Sequence, residues 1–118
     1  MLGECMLIKE LMVPELKFTV LNKKQMDLNK EVATCYTCDL LSQVLSKAVR
    51  GSIWLTIQNH MNVIGVATML DMKAVVICDG REVPKPVQDK ADGENILLLS
   101  TPLSAFELSG MLYERGFR

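Results

Sequence analysis

Apolar residues fall along this chain in two alternating rhythms. Three short runs, IWLTI at 53–57, AVVIC at 74–78 and ILLLS at 96–100, are aliphatic or aromatic with hardly a break. Such runs read as strands covered on both faces. Between them the spacing becomes helical. From Asp39, apolar residues recur at Leu40, Leu41, Val44, Leu45 and Ala48, one stripe of an amphipathic helix, with the acid at its N-terminus where the dipole favours it and Gly51 closing the region. MNVIGVATMLDM at 61–72 has helical length and is apolar almost all round, which predicts a helix covered on more than one side. Pro84 and Pro86 suit the first turn of a short helix ending near Gly93. Thr101–Pro102 reads as an N-cap and first-turn proline for a last helix from Leu103 to Arg115, with Gly116 just past its end. Ahead of this series, residues 6–12 read as a helical turn ended by Pro14, and 16–21 and 31–36 as strands separated by a polar loop.

Three successive strand–helix units with strands apolar throughout define the expected fold. It is a single α/β domain over residues 1–118, a three-layer α/β/α arrangement with a mainly parallel sheet and helices on both faces. Right-handed crossovers then place the strand C-termini along one edge.

Charge and length narrow the function classes. The chain has 118 residues and a net charge of −1, with Lys and Arg scattered, so no electrostatic footprint for nucleic acid is expected. No apolar run reaches the roughly 18 residues needed to cross a membrane. The start, MLGECMLIKELMVPE, lacks a basic n-region and is interrupted by Glu4, Lys9 and Glu10. The chain is therefore read as cytoplasmic, with Cys5, Cys35, Cys38 and Cys78 as reduced thiols.

Ligands of open α/β sheets bind outside the carboxyl ends of the strands. In this sequence those ends hold Gln58, Asn59, His60 and Asn62 after 53–57, and Asp79 and Gly80, followed by Arg81 and Glu82, after 74–78. They also hold Ser100, Thr101 and Ser104 after 96–100, and Thr37 and Asp39 after 31–36. Each has a plainer reading beside the ligand-binding one. Gln58, Asn59 and Asn62 also suit loop amides or a cap near Met61, and a lone histidine at a helix start is often a surface residue. The hydroxyls of Ser100, Thr101 and Ser104 suit helix capping as well as anion binding beside free helix amides.

Catalytic constellations are missing. The sequence contains no G-x-x-x-x-G-K-[ST] or G-x-G-x-x-G loop and no G-x-S-x-G elbow, and the single histidine has no local partner. The chain is read as a non-enzyme without cofactor. Cys35-x-x-Cys38 leaves three readings: half a zinc site completed by Cys78 and His60, a redox pair where a strand meets a helix, or small structural residues. In a continued strand, residues three apart face opposite sides of the sheet, which favours the last. Among the eight methionines, Met61, Met69 and Met72 lie on the expected apolar helix, and burial across a homodimer interface is a natural outlet for its surplus surface.

The stretches Asp39-Leu40-Leu41-Ser42, Thr56-Ile57-Gln58-Asn59-His60-x-Asn62 and Thr101-Pro102-Leu103-Ser104-Ala105-Phe106 make residues 32–116 resemble the small DRTGG domains. These occur alone or within larger proteins, including regulated pyrophosphatases with nucleotide-binding CBS domains. Cys78-Asp79-Gly80-Arg81-Glu82 stands nearest by position to the pentapeptide that names the family, and Cys38 stands where members often have glycine. The resemblance implies the fold of the N-terminal domain of HPr kinase/phosphorylase, without kinase activity, since the kinase's phosphate loop is absent. It also implies a regulatory, ligand-sensing or oligomerising role. Together these readings give a homodimeric, non-catalytic module for a small anionic metabolite, a nucleotide or a partner protein. The alternatives are a cysteine-based redox or zinc protein using Cys35 and Cys38, and a structural dimerisation adaptor.

Overall fold

The structure, a computed structural model, describes residues 5–118. Its centre is a five-stranded sheet in the order β2-β7-β6-β5-β4, formed by Thr19–Val20, Leu98–Ser100, Ala74–Ile77, Ile53–Thr56 and Cys35–Thr37. Strands β4 to β7 run parallel, and only β2 is antiparallel, against β7. A separate two-residue ladder joins β1 (Met6–Leu7) to β3 (Glu31–Val32). The helices are α1 (Leu41–Lys47), α2 (Met61–Met69), α3 (Lys85–Gly93) and α4 (Ala105–Glu114). The expected α/β architecture with a mainly parallel sheet is what forms.

Alternation along the strands divides the core in two. Trp54, Val75, Ile77 and Leu98 face one side, where Val44 of α1, Val63, Ile64, Val66 and Ala67 of α2, and Val87 and Ala91 of α3 cover them. Ile53, Leu55, Ala74, Val76 and Leu99 face the other, under Leu108 and Leu112 of α4 and the N-terminal residues Ile8, Leu11 and Leu16. The strands advance one place at a time from β4 to β7, so three crossovers of the same hand put α1, α2 and α3 on one face. α4, which follows the last of these strands, returns across the opposite face towards β4 and β5.

Several elements differ from expectation, each for a physical reason. The single strand expected at 31–36 is two strands in different sheets, because the chain leaves the β1 partner at Val32 and joins β5 from Cys35. The strand expected at 16–21 shrinks to Thr19–Val20, because Pro14–Leu16 forms a 3₁₀ turn and Lys17 takes a left-handed backbone (φ 54°). The stripe on α1 is only partly a core stripe: Val44 is buried, while Leu40 and Leu45 are exposed. The last helix begins two residues late, at Ala105, and its N-cap is Ser104 rather than Thr101. The capping hydrogen bond from Glu107 N to Ser104 Oγ (3.1 Å) and the return bond from Ser104 N to Glu107 Oε1 (3.1 Å) form a capping box.

Candidate functional site: the carboxyl rim of the sheet

The parallel strands deliver their polar ends to one rim, and there the loops are joined to one another in sequence. Thr56 is the one polar residue of β5 and has no exposed surface. Its hydroxyl donates to Asp39 Oδ1 (2.8 Å) and accepts from Gln58 N (3.1 Å). The same carboxylate oxygen accepts from Ile57 N (2.8 Å), and Gln58 Nε2 donates to the Asp39 carbonyl (3.0 Å). Asp39 thus ties the β4 loop to the β5 loop. Its carboxylate is spent there and does not cap α1, whose N-cap residue is Leu40. Trp54 adds a bond from Nε1 to the Cys38 carbonyl (2.8 Å).

The next staple is Asn59, whose Nδ2 donates to the Glu82 carbonyl (2.7 Å) and so joins the β5 and β6 loops. Beyond β6, Asp79 and Gly80 both have positive φ, 70° and 63°, in a tight turn closed from Arg81 N to the Cys78 carbonyl. Positive φ at both central positions is the type I′ signature that Asp-Gly favours. The turn brings Asp79 N to the Leu103 carbonyl (2.8 Å) and Gly80 N to the Thr101 carbonyl (3.0 Å). A Cβ at Gly80 would lie 3.9 Å from Pro102 Cα, an ordinary contact, so it is the positive φ and not a close approach that favours glycine here.

Those two bonds span the place where the helices part, α3 to one face and α4 to the other. In open sheets a ligand crevice commonly opens at such a point; here main-chain bonds bridge it. Thr101 continues the chain of contacts. It is 1% exposed, donates from Oγ1 to the Leu16 carbonyl (2.8 Å) and accepts from Leu103 N (3.3 Å). Its hydroxyl therefore faces the protein interior. Ser104 and Glu107 occupy the start of α4, which sets a carboxylate where an incoming anion would approach.

The expected residues accordingly fall into two groups. Asp39, Gln58, Asn59 and Thr101 are engaged in holding the loops, and Ser104 in capping α4. His60, Asn62, Asp79 and Gly80 are exposed on the rim, and Ser100 is half-buried at the end of β7. His60 occupies the N-cap position of α2 with extended backbone and makes no capping bond. Thr56, the hub of the first staple, stands in the sequence reading only as part of the resemblance stretch and not among the candidate site residues. Its signal was available, as a single hydroxyl closing an otherwise apolar strand.

The two cysteines of the C-x-x-C stretch point apart. Cys35 packs with the α4 side of the core and Cys38 with the side of α1 to α3, as the pleat dictates for positions three apart. Burial pushes the Cys35 thiol up to about 12 and, as the leading cause, the Cys78 thiol up to about 11. Among the described residues no group of three or more His, Cys, Asp or Glu is placed to hold a metal, and no helix is long and apolar enough to cross a membrane.

No family model and no curated protein sequence matches the chain. Its structure is similar to the CBS and DRTGG domains of the regulatory region of Clostridium perfringens pyrophosphatase, solved in complex with the activator diadenosine tetraphosphate. The TM-score is 0.63 at 14% identity, and the likeness covers 83% of this chain and 42% of that chain. The chain thus spans less than half the length of its neighbour, and what the two share is a fold.

Proposed function

We propose that this chain is a DRTGG-like regulatory module that performs no catalysis, senses a small anionic metabolite or nucleotide at the carboxyl rim, and works as a homodimer. The likeness over 83% of the chain to a regulatory region solved with diadenosine tetraphosphate carries this reading. The division of labour at the rim supports it. Asp39, Gln58, Asn59, Thr101 and Ser104 form the scaffold and the Asp79 amide joins it, which leaves His60, Asn62 and Ser100 to meet a ligand. The imidazole and the amide are exposed at the start of α2, where main-chain donors and the helix dipole favour an anion.

Calorimetric titration with diadenosine tetraphosphate, ATP and inorganic phosphate tests the proposal. One of the nucleotides is expected to bind, and His60→Ala with Asn62→Ala to weaken it about tenfold, the loss of roughly one charge-assisted hydrogen bond. Binding that survives both substitutions would move the site away from α2. Absence of binding for all three probes would leave the adaptor role, in which the dimer surface itself is the function.

A further inference from the structure

The outward side of α2 has an unusual symmetry. No residue between Met61 and Met69 is charged. Val63, Ile64, Val66 and Ala67 are buried against the sheet, which leaves Met61, Gly65 and Met69, spaced four apart, in one row facing away from it, flanked by the uncharged polar Asn62 and Thr68. Met61 is 48% exposed and Met69 62%. Between them a Cβ built on Gly65 would meet no atom within 4 Å. The row is therefore a notch with a flexible thioether on either side, and it reads the same in both directions. With Leu41 and Leu45 of α1 it lines a shallow hollow of about 530 Å³ whose one charged wall residue is Lys90.

We propose that this face is the interface of the homodimer, with α2 crossing its copy antiparallel at Gly65 on a two-fold axis. The inference rests on the homodimer reading above and adds the surface that makes it. A two-fold contact must be self-complementary, residue i meeting j and j meeting i. Antiparallel crossing at Gly65 sets each Met61 against the partner's Met69, and the missing side chain at the axis permits close helix approach. Unbranched thioethers adapt to such a surface.

The apolar surface also extends beyond α2. A stable dimer covers roughly 800 Å² of each subunit, more than one helix offers. Exposed Leu45 adjoins the row, and exposed Leu40 and Val49 flank α1, so segment 40–69 carries five of the eight exposed large apolar side chains among the described residues, Val20, Phe106 and Tyr113 being the others. The aromatic pair on α4, Phe106 and Tyr113 about Gly110, is ringed by charges of both signs, with Glu107 and Glu114 beside it and the Arg118 guanidinium 4.0 Å from the Tyr113 ring. That guanidinium already covers one face of Tyr113, so this pair offers a less purely apolar surface than the α2 row, which carries no charge.

Sedimentation analysis of the full chain over a range of concentrations, with circular-dichroism melting of each variant, decides the matter. In the monomer, Gly65→Glu points into open space and replaces a mid-helix glycine with a better helix former, so its melting is expected to hold. At the axis it would place two carboxylates together, and the dimer Kd is expected to rise at least about tenfold. Met69→Glu, an independent exposed position, is expected to do the same. Folded variants that dimerise as tightly as the parent would overturn this face while leaving the dimer intact. A parent chain that stays monomeric at high micromolar concentration would overturn the dimer and the face together.

Discussion

Thr56 shows how much one hydroxyl carries at the residue scale. It is fully buried, and its donor bond goes to Asp39. Removing the carboxylate leaves that buried donor and the Ile57 amide without their partner. Asp39→Ala is therefore expected to destabilise the protein by about 1–3 kcal/mol in urea unfolding, the usual cost of orphaning a buried polar group. The thiols give a second test. Because the thiolate is the reactive form, a pKa of about 12 for Cys35 and about 11 for Cys78 makes both inert at pH 8. Alkylation followed by peptide mass analysis is expected to label exposed Cys5 first, and Cys35 and Cys78 only on unfolding. Equal labelling of Cys35 and Cys38 in the native protein would revive a C-x-x-C chemistry. At this scale the sequence was half legible. Period-two alternation already set Cys35 and Cys38 on opposite faces. The inward turn of Thr101 was not legible, because its partner Leu16 lies 85 residues away and nothing local distinguishes that bond from a cap.

Among the elements, the strands and helices with strong apolar patterns appeared where the pattern put them, and the weakly patterned N-terminal third did so only in part: a 3₁₀ turn forms at Ile8–Leu11 within the expected 6–12, while the strands expected at 16–21 and 31–36 shorten or split. That third is held by side chains more than by ladders. Asn22, in a polar loop, donates to Asp92 Oδ1 (2.8 Å) and to the Ile96 carbonyl (2.9 Å), and accepts from Leu98 N (2.8 Å). One amide thus does the work of a further strand residue and fastens β2 to α3 and β7. Asn22→Ala is expected to cost about 1–3 kcal/mol, since it strands a main-chain amide of the buried Leu98. The Asn22 amide, chiefly, also holds the Asp92 carboxyl below its ordinary value of 3.8. A carboxyl with a lowered folded pKa contributes stability above its unfolded pKa and loses that contribution as pH falls through the folded value. Urea unfolding is therefore expected to show stability dropping below about pH 4 in the parent and a flatter acid limb in Asp92→Asn.

For the molecule as a whole, the rim behaves as one connected structure. Staples run from β4 to β5 through Asp39, from β5 to β6 through Asn59, and from β6 to β7 through the Asp79–Gly80 amides. From β7 they continue through Thr101 to the N-terminal segment. A loop edge joined in this way keeps its shape before a ligand arrives, so binding there would cost little ordering of the chain. The two-residue β1–β3 ladder lies apart from these staples, continued by bonds from Ile8 N to the Lys30 carbonyl (3.0 Å) and from Lys9 N to the Leu28 carbonyl (2.9 Å). Amide hydrogen exchange separates the two regions, because exchange follows the free energy of local opening. Ile57, Cys78, Asp79 and Gly80, all bonded across the rim, are expected to exchange with β5 and β6, far more slowly than Leu7 and Glu31. If those four amides exchanged at the rate of open loops, the rim would be a set of independent turns, and a ligand would have to assemble the site that His60 and Asn62 are proposed to complete.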